Sequence, residues 1–268
     1  MPLKNSQRPI ALTISGSDPG GGAGLQADLK TFAALGVYGY SVLTQVIAQN
    51  STHVTDYEHA SEDIVRHQLE TLLEESMPIA MKTGALANAD IVKTVARAIE
   101  ELKLPAPVVD PVLVSSSGAR LLGTKGKRAI RKNLLPLARI VTPNIPEAEA
   151  LARIDIDSDA ALREAAKKIV KMGAQAVVIK GGHSKEDKSA NDLLYDGKNF
   201  IELKAPRIAG DGAHGTGCAF SAAIAAYLAR GESLEESVRG AKRYVTAALK
   251  NSFKLGKGRA LLEHFARV

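Results

Sequence analysis

Apolar residues fall into short runs that alternate with helical spacings along the chain. Ile10–Ser15 is an apolar run that stops at glycines, the plan of a buried strand. Leu25, Leu29, Phe32 and Leu35 then recur at helical spacing, which predicts a helix that Gly36 ends. Residues 41–48 read as a second strand. Ile64, Gln68, Leu69, Leu72 and Leu73 predict the next helix, with Ser61 as its N-cap. Further strands are predicted at 79–82, 107–112, 139–142 and 176–180. Between them, Ile91, Val95, Ile99 and Leu102 form a helical stripe behind Asn88, and helices are predicted over 125–135, 146–152 and 162–172. Apolar segments on either side of Asp196-Gly197 predict a hairpin of 192–195 with 199–203. The last third reads as helix, over 217–229 and 234–251, with Ser233 and Glu236 as a capping box.

This alternation predicts an α/β chain, a single domain over 1–268, with a mostly parallel central sheet and helices on both faces. Ligands of such sheets bind outside the carboxyl ends of the strands. The chemistry is therefore expected in the loops after Ser15, Ala48, Lys82, Val112, Thr142 and Lys180.

Composition narrows the setting. The 268 residues are 45% hydrophobic and 24% charged, ordinary for a globular chain that buries a large core. The one cysteine, Cys218, cannot form an intrachain disulfide, which fits a reducing compartment. No apolar run is long enough for a bilayer, and the polar start does not follow the plan of a secretory signal. A cytoplasmic protein with no membrane partner is expected. The net charge is +6, but the basic residues are spread over helical segments and aromatics are only 4%. That pattern reads as solvated helix faces, so no nucleic-acid partner is expected.

The loops carry the chemical signals. Residues 16–24 hold four glycines within five positions, more than a turn needs, which favours close backbone approach to a ligand. The segment is neither a Walker A loop nor G-x-G-x-x-G. Gln49 and Asn50 suit the polar edges of a heterocycle, and equally a polar turn. Pro146 and Glu147 suit the first turn of a helix, while Asn144 and Glu147 also suit Mg²⁺ held through water. Residues 210–218 are the sharpest feature. Glycines just before a helix leave N–H groups that form an anion hole, able to stabilise a phosphoryl group in transfer. Cys218 falls in the first turn, where the helix dipole is expected to lower its pKa; a small buried hydrophobe is the alternative. His214 receives no catalytic role. Zinc-ligand spacing and the G-x-S-x-G turn are both absent from the sequence.

Taken in order, 11–32, 46–50, 109–112, 142–148, 178–183 and 214–218 resemble the hydroxymethylpyrimidine/phosphomethylpyrimidine kinases, vitamin kinases of the ribokinase superfamily. The resemblance implies a ribokinase-like fold, ATP and Mg²⁺ as cofactors, and a homodimer. It implies phosphorylation of hydroxymethylpyrimidine and then of its monophosphate, towards thiamine diphosphate. It places Gly16, Asp18, Ala23, Asp28, Ile47, Gln49 and Ala85 at the substrate. Gly215, Thr216, Gly217 and Cys218 become the anion hole, with Cys218 also the base. Lys180 meets the ATP phosphates, and Asp110, Asn144 and Glu147 join the Mg²⁺–phosphate network, Asp110 and Glu147 as metal ligands. Four departures stand out: Ala85 replaces an expected methionine, Gly20 a serine, Gln45 a small residue, and 210–213 lack Asn-Thr. The first widens the pocket towards pyridoxal, so pyridoxal kinase is the enzymatic alternative. A non-catalytic nucleotide- or vitamin-binding regulator is the alternative of another class. Loops 115–120 and 183–190 are expected to order on binding.

Overall fold

The computed structural model describes residues 8–50, 52–113, 121–181, 189–208, 213–256 and 258–267. The chain begins with β1 (Ile10–Ser15), α1 (Gly24–Ala34), β2 (Tyr38–Leu43), β3 (Gln45–Gln49), β4 (Val54–His59) and α2 (Glu62–Glu75). It continues through β5 (Ala80–Thr83), α3 (Ala89–Glu101), β6 (Val108–Val109), α4 (Thr124–Ala129), β7 (Ile140–Val141), α5 (Ile145–Ala152) and α6 (Asp159–Lys171). The last part is β8 (Val177–Lys180), β9 (Asp192–Tyr195), β10 (Phe200–Leu203), β11 (Ala213–His214), α7 (Thr216–Ala229), α8 (Leu234–Lys250) and β12 (Ala260–Leu261).

Eight strands form the main sheet in the order β10-β9-β8-β7-β6-β5-β1-β2. Every pair from β2 to β8 is parallel, and β9 runs against both of its neighbours. Strand side chains alternate between two cores. Leu12, Ile14, Met81, Val109, Val141 and Val177 face the layer of α2 to α6. Ala11, Ala80, Val108, Ile140, Ala176 and Val178 face α1, α7 and α8. The small residues of the second set let α7 lie close on the sheet. Helix α7 is apolar nearly all round and buries nine residues, as a helix inside a layer must. Its N-terminus thereby comes to the carboxyl ends of the strands.

Three local readings need correction. Residues 41–48 are not one strand. Thr44 is fully buried and pinned: its N–H bonds Ser15 O at 3.0 Å and its hydroxyl bonds Ala85 O at 2.7 Å. The chain turns there, and β3 leaves the main sheet to pair antiparallel with β4. Strand β4 is mostly exposed and lacks the alternation that would have announced it. Residues 125–135 are not one α-helix either. After α4 the chain runs through a π-helical turn, Ile130–Leu134, and a 3-10 turn, Leu135–Leu137. Pro136 removes a donor from the ladder, and the wider turn keeps Ile130, Leu134 and Leu135 all buried. Finally, Ser233 accepts the Glu236 N–H at 3.3 Å, but the reciprocal capping box belongs to α5, between Asn144 and Glu147. The expected closing loops, 115–120 and 183–190, lie outside the described residues except for Ser189 and Ala190. Of the departure at 210–213, only Ala213 is described.

Candidate active site

One cleft of about 1860 Å³ opens at the carboxyl ends of β1, β5, β6, β7 and β8 and the start of α7. Small-ligand pockets hold roughly 300–1,000 Å³, so this one has room for a nucleotide and a second ligand. It is lined by every residue that the resemblance assigns to substrate, phosphates or metal except Asp28.

One side of the cleft is built on α7. Gly215 is its N-cap, at φ +80°, a conformation that suits glycine. A Cβ there would strike the carbonyl of Gly22, so the two loops touch backbone to backbone. The helical ladder begins with Ala219 N–H to Gly215 O at 2.9 Å, which leaves the amides of Thr216, Gly217 and Cys218 ahead of it. The Thr216 hydroxyl turns back to Ala213 O at 2.7 Å. Lys180, at the end of β8, brings its ammonium to this spot: a Cβ on Gly217 would lie 3.2 Å from Lys180 Nζ and 3.7 Å from Asp110 Oδ2.

Asp110 follows β6. Lys180 Nζ is 3.5 Å from its Oδ1, which also accepts Thr142 Oγ1 at 3.3 Å, and Oδ2 accepts Ser221 Oγ at 3.2 Å. Burial works against the Lys180 charge, but the carboxylates of Asp110 and Glu147 outweigh it and raise its pKa. Burial pushes the Glu147 carboxyl up to about 7; Lys180 opposes this and Asp110 adds to it. Asn144 ties this side together, because its N–H bonds Glu147 Oε2 and its side chain accepts the Glu147 N–H, each at 2.9 Å.

The opposite side is the glycine-rich loop, and Asp18 organises it. Its Oδ1 accepts the Gly20 N–H at 3.0 Å; its Oδ2 accepts those of Gly22 at 3.1 Å and Ala23 at 2.8 Å. His214 Nε2 lies 3.0 Å from the same Oδ2. Burial alone would raise the Asp18 pKa, yet the hydrogen bonds from His214, Gln49 and Ala23 hold it at about 2. Asp18 lines the cleft, but its carboxylate is committed to the protein. No local pattern announces this His214 contact, which joins residues 196 positions apart.

Asp28 requires the clearest correction. It is fully buried beneath the cleft, where it accepts Thr13 Oγ1 at 2.7 Å and Lys82 Nζ at 2.9 Å. It supports the floor and does not line it. Burial works against the Lys82 charge, and the Asp28 carboxylate prevails, so the Lys82 pKa rises. The sequence pattern assigns Lys82 no role of its own, although a charged residue inside Ala-Met-Lys-Thr, a wholly buried strand, is a usable signal.

Cys218 also departs from expectation. The helix dipole was expected to favour thiolate. Burial instead pushes the thiol up to about 12, against the pull of Lys82 and of the Gly24 N–H bond. Desolvation of the sulfur outweighs the dipole, and at neutral pH the group is a thiol.

Among the described residues, no three His, Cys, Asp or Glu side chains come together as a metal cage. Mg²⁺ does not require one, since it keeps waters and takes one or two carboxylates beside substrate phosphates. Asp110 and Glu147 fit that donor set. Their mutual repulsion and the raised Glu147 pKa mark a place where added positive charge is favourable.

The family profile described as phosphomethylpyrimidine kinase matches residues 18–263. The chain is similar to the hydroxymethylpyrimidine/phosphomethylpyrimidine kinase of Bacillus subtilis (strain 168), with 43% identity over 256 residues covering 96% of this chain and 94% of the relative. It is similar to that of Haemophilus influenzae, with 44% identity over 259 residues covering 95% and 96%. Among solved structures, an ADP complex of Bacillus subtilis pyridoxal kinase superposes with a TM-score of 0.89 at 40% identity, covering 97% of this chain and 98% of the other. The ribokinase-like α/β fold is thus shared, and the chain belongs to the hydroxymethylpyrimidine/phosphomethylpyrimidine kinase family, enzymes that use ATP to phosphorylate hydroxymethylpyrimidine and its phosphate in thiamine biosynthesis.

Proposed function

We propose that the cleft holds the ATP phosphates beside Lys180 and the pyrimidine against the glycine-rich loop, with Gly16, Ala23, Ile47, Gln49 and Ala85 around it. One observation carries the reading: the Lys180 ammonium stands at the amide-rich start of α7, within 3.2 Å of where a Gly217 side chain would begin. A fixed cation and free N–H groups at one point match the charge of a phosphoryl group in transfer.

The hydroxymethyl oxygen attacks the γ-phosphorus in line. The new O–P bond forms as the bond to the β-phosphate oxygen breaks, and ADP leaves. Residues 216–218 hold the equatorial oxygens by their N–H groups, and Lys180 offsets negative charge on the phosphates. Asp110 and Glu147, braced by Asn144, are the residues to hold Mg²⁺, which supplies charge neutralisation of the phosphates when bound. Cys218 is a neutral neighbour of the acceptor hydroxyl rather than a standing base. The loose transition state of phosphoryl transfer asks more of positioning than of proton removal. The hydroxyl proton leaves late, to a phosphoryl oxygen.

The protein is proposed to act in the cytoplasm as a homodimer. Among the described residues no helix is long and apolar enough to cross a membrane. Edge strand β2 and the β3–β4 ribbon leave Tyr38, Val46 and Tyr57 each more than half exposed, which supports self-association there.

A second substrate has specific support. Ala85, which lines the cleft, leaves more room than the expected methionine, and a matched structure is a pyridoxal kinase. ADP release with Mg-ATP should be followed for hydroxymethylpyrimidine, its monophosphate and pyridoxal, with and without EDTA. The expected result is turnover of the first two, slower turnover of pyridoxal, and loss of all three with EDTA. Turnover of pyridoxal alone would move the protein to vitamin B6 salvage. Activity that survives EDTA would remove the metal from the reading.

A further inference from the structure

The end of the chain returns to the active site. Strand β12 is the sheet partner of β11, pairing Ala213 with Ala260 and His214 with Leu261. Strand β11 leads directly into Gly215 and the start of α7. The backbone of Leu261 is itself fixed, since it exchanges hydrogen bonds of 3.0 and 2.7 Å with Phe253. Further on, His264 is buried, and Tyr244 OH donates to its carbonyl at 2.9 Å. Its Nδ1 lies 3.2 Å from Thr31 Oγ1 of α1. The tail is therefore anchored on both α8 and α1.

One side chain of this strap meets the glycine-rich loop. A Cβ on Gly22 would lie 2.7 Å from Leu261 Cδ2 and 2.7 Å from His214 Cδ2. Leu261 and the His214 ring thus press together on the Gly22 backbone. Gly22 donates to Asp18, and Asp18 meets His214. Two loops from opposite ends of the sequence are locked into one body, one lining the substrate side and the other forming the anion hole.

We propose that Leu261 is a positioning residue for phosphoryl transfer: through Gly22 and His214 it sets the distance between the glycine-rich loop and the anion hole. Transfer needs the acceptor oxygen in line with the phosphorus, and a misplacement of about 1 Å costs about 10²-fold in rate. The Leu261 side chain has no polar atom, so it acts only through this spacing. Leu262, next along the strap, is buried in the α1–α7–α8 core and points away from the loops. It separates positioning from stability.

The inference rests on the kinase reading, so every variant is judged against the wild-type rate with hydroxymethylpyrimidine; an inactive wild type would fail that reading and not this one. Leu261→Ala is expected to lower kcat about 10–100-fold, with KM for ATP within about twofold. Leu261→Met refills the contact and should recover kcat to within about threefold of wild type. Leu262→Ala should lower the melting temperature more than Leu261→Ala does, yet keep kcat within about threefold. The proposal is overturned if Leu261→Ala keeps its kcat, if Leu261→Met fails to restore it, or if kcat in both alanine variants simply follows their loss of stability.

Discussion

Gly217 and Cys218 are neighbours in the first turn of α7, and their substitutions should behave differently. A methyl group at 217 enters the space beside Lys180 Nζ, 3.2 Å away, where the phosphoryl oxygens are proposed to sit. Gly217→Ala should lower kcat by about 10²–10³, the usual effect of losing an anion-hole contact. Cys218→Ala removes a thiol whose pKa burial has pushed to about 12. Its kcat should fall no more than about tenfold, because a standing base would contribute about 10²–10⁴. Steady-state kinetics on both variants decide between them. A loss beyond about 100-fold in Cys218→Ala would restore the base role. Residue identity was readable at both positions. The state of the thiol was not, since desolvation depends on what packs over the sulfur.

At the scale of elements, the strap between α8 and the chain end carries a titratable group. Burial holds His264 near pKa 4, below its ordinary 6.5, with Lys30 adding to the effect and Glu263 opposing it. The unfolded chain therefore takes up this proton first as pH falls. Stability is full above about 6.5 and is lost as the pH drops towards 4, by up to about 3 kcal/mol in all. Urea midpoints measured across that window should decline for the wild type and decline much less for His264→Gln. Equal slopes would remove His264 as the cause. The helices α1, α2, α3, α6 and α8 were legible because their apolar stripes and caps are local. Strand β4 and the bend at Thr44 were not, because exposed residues carry no period and the bend is set by contacts with β1 and Ala85.

Across the whole molecule, one sheet separates two cores and contributes side chains to both. Neither core closes without the sheet, so the chain should unfold in one step. Calorimetry is expected to show a single transition with equal calorimetric and van't Hoff enthalpies. Two transitions would break the single-domain reading. Sedimentation under assay conditions should give twice the 28.3 kDa of one chain, and a single-chain mass would end the homodimer proposal.

The sequence alone determined the alternating strand–helix plan and the loops that line the cleft at the carboxyl ends of the strands. Hydrophobic period, capping residues and glycine clusters are properties of neighbouring positions, and they survive without a fold. Tertiary structure decided the rest. It buried Asp28 against Lys82 beneath the floor and joined Asp18 to His214 where the two loops meet. It kept Cys218 as a thiol and brought Leu261 back onto Gly22. Each of these depends on distance and burial between parts far apart in the chain, and desolvation and contact exist only once those parts are packed.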